Sequence, residues 1–218
     1  MRLAPMISVA RVTKVSDGVT LLDNVTFDVE KGTCIGVVDT ERDAHRELLH
    51  MLATLTLPSS GTISIGGTDA IKHPLSARRR IAYADLGLAA GTGLRVAEYL
   101  WLVARTRGAA SEHSAYEMAN RVDLDLQSPV DRLAPDRRRM LALVAALSAQ
   151  TDVILLDTPP CGPTTATADA CVQLIHETIE KGATIVAGAD DALDLAAICD
   201  DVFTFRAGRL TRAAEQSA

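Results

Sequence analysis

The residues with the most chemistry to offer lie in one run, Ile35-Gly36-Val37-Val38-Asp39-Thr40-Glu41-Arg42-Asp43-Ala44-His45-Arg46-Glu47-Leu48-Leu49. An apolar strand over Cys34 to Val38 enters a loop and then a helix from about Arg46 to Leu57. This layout can grip phosphate. Glycines let backbone N–H groups point at the phosphates, a lysine reaches the outer ones, and a hydroxyl holds Mg²⁺. The pattern is Gly, four residues, then Gly-Lys-Ser/Thr. From Asp39 to Glu47 there is neither glycine nor lysine, and Asp39, Glu41, Asp43 and Glu47 outnumber Arg42 and Arg46. A carboxylate about 4 Å from a phosphate costs ~4 kcal/mol at an effective dielectric near 20, on the order of a thousandfold in affinity. The dipole of a helix N-terminus returns only ~1 kcal/mol. The run therefore reads as a strand-loop-helix turn without a ligand.

A second run, Val153-Ile154-Leu155-Leu156-Asp157, is a fully apolar strand ending in an acid. Asp157 alone is a weak magnesium ligand, and a hydrogen bond to nearby backbone explains it as well. Thr158 has no pKa near neutrality and cannot act as a general base. The cysteines, Cys34, Cys161, Cys171 and Cys199, form no CxxC pair, so buried free thiols in a reducing cytoplasm are expected. Cys161 with Asp157 and His45 would be the raw material for a repurposed enzyme. No metal-ligand spacing is present.

Bulk properties narrow the classes. With 218 residues, 48% hydrophobic and 23% charged, the chain suits one compact α/β domain, with or without a small lobe. A net charge of −6 and 3% aromatics argue against nucleic-acid binding. Arg78 to Arg80 and Arg137 to Arg139 read as solvated helix faces. No apolar run reaches membrane-spanning length, and Met1 to Ala10 is too weakly apolar for a secretory leader.

The elements that must position these residues follow from periodicity. Strands are expected at Ile7 to Val12, Thr20 to Val29, Thr62 to Ile65, Ile81 to Ala84 and Ala183 to Ala187, with a closing hairpin from Asp201 to Leu210. Leu48, Leu49, Met51, Leu52 and Leu55 give a helical stripe ended by Pro58. Helices are expected over about Val96–Arg105, Ser114–Val122, from Asp136 through a buried Met140–Leu147, over Thr165–Lys181 and over Ala192–Ile198. His176 falls on the polar side of its helix.

The order of "LLDNVTFDVEKGTCIGVV", "LPSSGTISIGG", "RRRIAYADLGL", "VILLDTPP" and "CDDVFTFRAGRL" strongly resembles the ATP-binding cassette (ABC) ATPase domain over about residues 7 to 211. The resemblance implies an α/β fold in a single domain spanning 1–218. Its parts would be a RecA-like P-loop NTPase core, an N-terminal antiparallel β lobe and a helical lobe at about 86–140.

The family's functional positions can be carried over residue by residue, and most are lost. The adenine-stacking aromatic falls at Ser16. The Gly-Lys-Ser/Thr of the P-loop falls at Ala44, His45 and Arg46, between Asp39 and Glu47. The magnesium-linked glutamine falls at Leu86, and the Leu-Ser-Gly-Gly-Gln signature at Leu133, Ala134, Pro135, Asp136 and Arg137. The strand-end acid is kept as Asp157, the general-base glutamate becomes Thr158, the next loop's Asp becomes Thr164, and the switch histidine becomes Asp190. His45 is shorter than lysine and mostly neutral at pH 7, and Asp136 puts an acid where a bare helix N-terminus is needed.

The resemblance therefore implies a catalytically inactive subunit, a structural or regulatory partner of a membrane permease or of an active ABC ATPase. No catalytic residue, cofactor or metal is expected. It would lie in the cytoplasm at the inner face of a membrane, held there by its partner, as a homo- or heterodimer and without nucleic acid. Candidate partner contacts are Leu86, Leu88, Leu94, Tyr99 and Trp101, with core packing the competing role for Leu94, Val96 and Trp101. The alternative is an exporter-type ATP-binding subunit with a weak site in a heterodimer, using ATP and Mg²⁺.

Overall fold

Alternation of apolar and polar residues builds the first hairpin. β1 (Ile7–Ser16) and β2 (Val19–Val29) pair antiparallel from Ile7 with Val29 to Ser16 with Val19. The turn places Asp17 and Gly18 at φ 51° and 77°, as a tight hairpin turn requires. The chain is seen as a computed structural model that describes residues 4–39, 44–84, 93–107, 111–162 and 167–212. Leu86, Leu88 and Thr164, and the loop residues 40–43, lie outside the described residues.

In chain order there follow β3 (Cys34–Val38), α1 (Ala44–Leu52), β4 (Ser60–Ile65), β5 (Thr68–Asp69), α2 (Pro74–Arg78), β6 (Ile81–Ala84) and α3 (Val96–Thr106). Next come α4 (His113–Arg121), α5 (Pro135–Leu147), β7 (Val153–Asp157), α6 (Ala168–Glu180), β8 (Thr184–Ala189), β9 (Asp201–Arg206) and β10 (Arg209–Arg212). One sheet is antiparallel, in the order β2-β1-β4-β5; the other runs β10-β9-β3-β8-β7-β6. In the second sheet β9, β3, β8, β7 and β6 are parallel and β10 closes the edge antiparallel.

Strands β3, β7 and β8 are buried throughout, which is why they read as unbroken apolar runs, whereas β9 is mostly half-buried. Period-two alternation divides them between two cores. Cys34, Val38, Ile154, Leu156, Ile185 and Ala187 pack towards the helices α3 to α6. Ile35, Val37, Val153, Leu155 and Val186 pack towards α1 and the antiparallel sheet. Helix α5 is buried without a break from Met140 to Leu147, as its apolar run predicts.

Three expectations need correction. Helix α1 stops at Leu52, well short of Pro58, and Leu55 and Leu57 are exposed. Thr54 turns to φ 58° there, and Arg78 donates to both its hydroxyl and its carbonyl at 2.6 Å. The segment after β8 forms only a 3-10 turn at Ala192–Asp194, capped at its start by the Asp191 carboxylate, which accepts the Leu193 N–H at 2.9 Å. On α6 the buried stripe runs through Ala168, Cys171, Leu174, Ile175 and Thr178, with Val172 and Ile179 at its margin. His176 is exposed as expected. The arginine runs are tied as well as solvated: Arg80 pairs with Asp152 at 2.8 Å and Arg137 with Asp123 at 3.2 Å.

Gly61 opens β4 at φ +92°, and a Cβ there would lie 2.4 Å from the Arg11 carbonyl oxygen. Backbone does not yield to that contact. Gly61→Ala is expected to cost about 2 kcal/mol or more in urea-monitored unfolding, and more than the same change at Gly67, where φ is +77° but no atom stands within 4 Å of the added Cβ, so only the backbone strain of about 1 kcal/mol applies.

Candidate functional site

Parallel strands bring their carboxyl ends to one edge, and the polar residues singled out in the sequence collect there. Asp39 follows β3, Asp157 ends β7, and Asp190 follows β8. Backbone bonds hold the three ends together, from Asp39 N–H to the Ala189 oxygen (3.3 Å) and from Thr158 N–H to the Gly188 oxygen (2.8 Å).

The start of α1 is occupied from within. Asp39 is buried, and its Oδ2 accepts the Ala44 N–H at 2.7 Å. A helix N-terminus offers such N–H groups to an anion, and here the chain's own carboxylate takes one of them. Glu47 does not add to this charge, contrary to its place in the acidic run. It turns to the β lobe, 3.1 Å from the Lys14 ammonium and 2.8 Å from the Thr56 hydroxyl, which donates to it.

Asp157 has no side-chain exposure, so its charge needs a partner. Arg46 supplies it, with Nε 2.9 Å from Oδ2. The Thr158 hydroxyl donates to Oδ1 at 3.1 Å. The acid is thus held by side chains, not by the nearby backbone that the sequence suggests. His45 lies beside it with its side chain wholly buried, its Nε2 3.8 Å from Asp157 Oδ1 and 3.9 Å from Asp190 Oδ1. Neither ring nitrogen makes a hydrogen bond among the described residues. Asp190 keeps 72% of its side chain in solvent.

Gly188 makes room for this imidazole, since a Cβ there would come 2.8 Å from His45 Cδ2 and 2.9 Å from Leu49 Cδ1. Sequence reasoning missed Gly188. The only signal was a glycine interrupting the β-branched and small residues of a buried strand.

Mg²⁺-triphosphate does not fit these residues. The oxygens of Asp157 are engaged by Arg46 and Thr158, a buried imidazole replaces the ammonium, and a carboxylate caps α1. Among the described residues no group of three His, Cys, Asp or Glu is placed to hold a metal ion.

The remaining candidates scatter. Ser16 ends β1, exposed, with its hydroxyl 3.5 Å from Asp17 Oδ2. Leu133 and Ala134 lead into α5, Pro135 is its first residue, and Asp136 lies in its first turn, 3.7 Å from the Arg139 guanidinium. Arg137 folds back to donate to the carbonyls of Val122 (3.0 Å) and Asp123 (2.8 Å). Cys161 is buried, and burial pushes its thiol up; the charges it feels are those of Cys171, Cys199 and Asp194. Burial also raises Cys171, to about 11, and Cys34 Sγ lies 3.3 Å from Cys199 Sγ. The thiols form their own cluster, and the raised Cys161 and Cys171 are unsuited to nucleophilic duty at neutral pH.

The expected partner contacts divide. Leu94 and Trp101 line an open apolar groove with Leu102 and Tyr116, and Trp101 is 44% exposed with the Arg105 guanidinium 5.8 Å from its ring. Tyr99 lines a different recess against α5, where burial raises its phenol. Val96 is core. Among the described residues no helix is long and apolar enough to cross a membrane.

No family model matches the chain. It is similar to the uncharacterized ABC transporter ATP-binding protein YybJ of Bacillus subtilis, 27% identical over 216 residues and covering 94% of each chain. A Nod factor export ATP-binding protein I of Ralstonia nicotianae is 23% identical over 210 residues, 94% of this chain and 65% of that one. A putative ribose/galactose/methyl galactoside import ATP-binding protein of Hahella chejuensis is 25% identical over 215 residues, which are 94% of this chain but only 42% of that protein's length.

Among solved structures, an ATP-binding subunit of an ABC transporter superposes with TM-score 0.82 at 20% identity, covering 95% of this chain and 89% of that one. A nucleotide-free ATP-binding cassette gives 0.77 at 14% identity, covering 94% and 89%. The fold is that of the ABC ATPase domain, and the relatives support the ABC transporter ATP-binding family.

Gly188→Ala is expected to destabilise by about 1–3 kcal/mol, the usual cost of overpacking a buried site. Combining it with His45→Ala should recover part of that loss; strict additivity in chemical denaturation would show that the imidazole does not press on this strand.

Proposed function

We propose that the chain is an ABC-type subunit whose own nucleotide site is inactive, serving as a structural or regulatory partner of a membrane permease or of an active ABC ATPase. The observation that carries this reading is the 2.9 Å contact of Arg46 Nε with Asp157 Oδ2. A side-chain guanidinium, fixed on α1, holds the carboxylate that would otherwise meet a hydrated divalent cation. Arginine stays charged throughout the physiological range and forms directional bonds to carboxylates. An incoming Mg²⁺ must therefore break this pair as well as shed water.

The acids compound the effect. Triphosphate arriving at α1 would meet Asp39 at the helix start and Asp190 at the rim, at a cost of ~4 kcal/mol for each carboxylate about 4 Å away. Catalysis loses its usual agents too, since Thr158 follows the strand-end acid and Asp190 follows β8. Function resides in sites, not in folds, so the retained scaffold serves contact: the apolar groove beside Leu94 and Trp101 is the described surface best suited to a partner. Through that partner the chain would sit at the inner face of a membrane, paired with itself or with a related subunit.

A second reading is favoured by the relatives, which are named as ATP-binding proteins and align along 94% of this chain. In it, the subunit binds ATP weakly within a heterodimer. Calorimetric titration of the purified chain with ATP and Mg²⁺ separates the two. No saturable heat into the millimolar range is expected; micromolar affinity would overturn the inactive-site reading.

A further inference from the structure

At the amino ends of the same strands, opposite the acidic cluster, the structure encloses a cavity of about 360 Å³. It lies between α4, the end of α5, and the residues that enter β7 and β8. Its volume falls within the range of about 300–1,000 Å³ typical of small-molecule sites. We propose that it binds a small amphipathic carboxylate, an acid with a short hydrocarbon body, through an apolar floor and a rim carrying Lys31 and Lys181.

The floor is made of Met118, Leu147 and Ile154, all buried. Water against such a floor makes few hydrogen bonds, so an apolar body gains by displacing it. The rim has the opposite character. Lys31 and Lys181 both line the opening and are exposed, and neither sits within ion-pairing distance of a carboxylate among the described residues. The nearby acids are already engaged. Asp152, also at the rim, accepts from Arg80 at 2.8 Å. Glu177 on α6 takes both guanidinium nitrogens of Arg121 on α4 at 2.7 Å. With Asp152 and Glu177 held in salt bridges by arginines, and Glu177 also feeling the Lys181 charge, the two ammonium groups are the donors at the mouth that remain able to turn to an incoming anion. Ser114, in the first turn of α4, adds a hydroxyl to the same rim.

Because the walls come from α4 on one side and the strand entries on the other, an occupant bridges the two. It would therefore raise stability by mass action. The site does not depend on the nucleotide reading, being at the other end of the sheet.

The test is isothermal titration of the full chain with octanoate, with octanol and octylamine as neutral and cationic probes of the same body. Saturable binding of octanoate, weaker binding of octanol and none of octylamine are expected. Lys31→Gln with Lys181→Gln, both at the surface, should lower octanoate affinity roughly tenfold or more while leaving the ligand-free melting temperature unchanged. Octanoate should raise the melting temperature of the parent chain and not of the double variant. Equal affinity for octanol and octanoate, undiminished octanoate binding by the double variant, or no saturable binding would each overturn the proposal.

Discussion

A buried carboxylate has to be neutralised, and this requirement organises the upper edge of the molecule. Asp157 ends the buried strand β7 with no solvent on its side chain. Its charge is answered by Arg46 from α1 and by the hydroxyl of its own neighbour Thr158. The first turn of α1 is fixed in the same manner, by the Asp39 carboxylate on the Ala44 N–H. The Asp157 carboxylate and the Ala44 N–H are thus both satisfied by the chain's own side chains. The arrangement amounts to an internal ligand set, in which arginine stands for the cation and aspartate for the anion.

The scaffold beneath has kept what it needs for folding. Five parallel strands, three of them buried throughout, an α5 buried from Met140 to Leu147 and an antiparallel sheet over α1 reproduce the ABC ATPase fold, with a TM-score of 0.82 to one ATP-binding subunit. Core packing is indifferent to the chemistry at the strand ends, so the layers do not depend on which polar residues stand there. Gly188 shows how the two levels meet. A strand position without a side chain lets the His45 imidazole pack closely against the sheet.

Much of the fold was legible because buried parallel strands and all-apolar helices announce themselves in composition. Val153 to Asp157 and Met140 to Leu147 are such cases. What escaped were features decided by tertiary partners. Helix α1 is shortened by Arg78 capturing Thr54, a contact between residues far apart in sequence. The direction of Glu47 depends on Lys14 in the first strand. The partner of Asp157 is Arg46, 111 residues away along the chain. Local reading assigns each of these to its neighbours, since propensity carries no record of distant side chains. Leu86, Leu88 and Thr164 fall outside the described residues, so their expected roles have no structural counterpart here.

The most direct test is a double-mutant cycle on Arg46 and Asp157, using Arg46→Gln, Asp157→Asn and the pair together in equilibrium urea unfolding. If the guanidinium neutralises the strand-end acid, each single change leaves an unmatched group and the two couple by about 1 kcal/mol or more. Strictly additive effects, with a coupling energy indistinguishable from zero, would show that Asp157 is not held by Arg46 and would contradict the account.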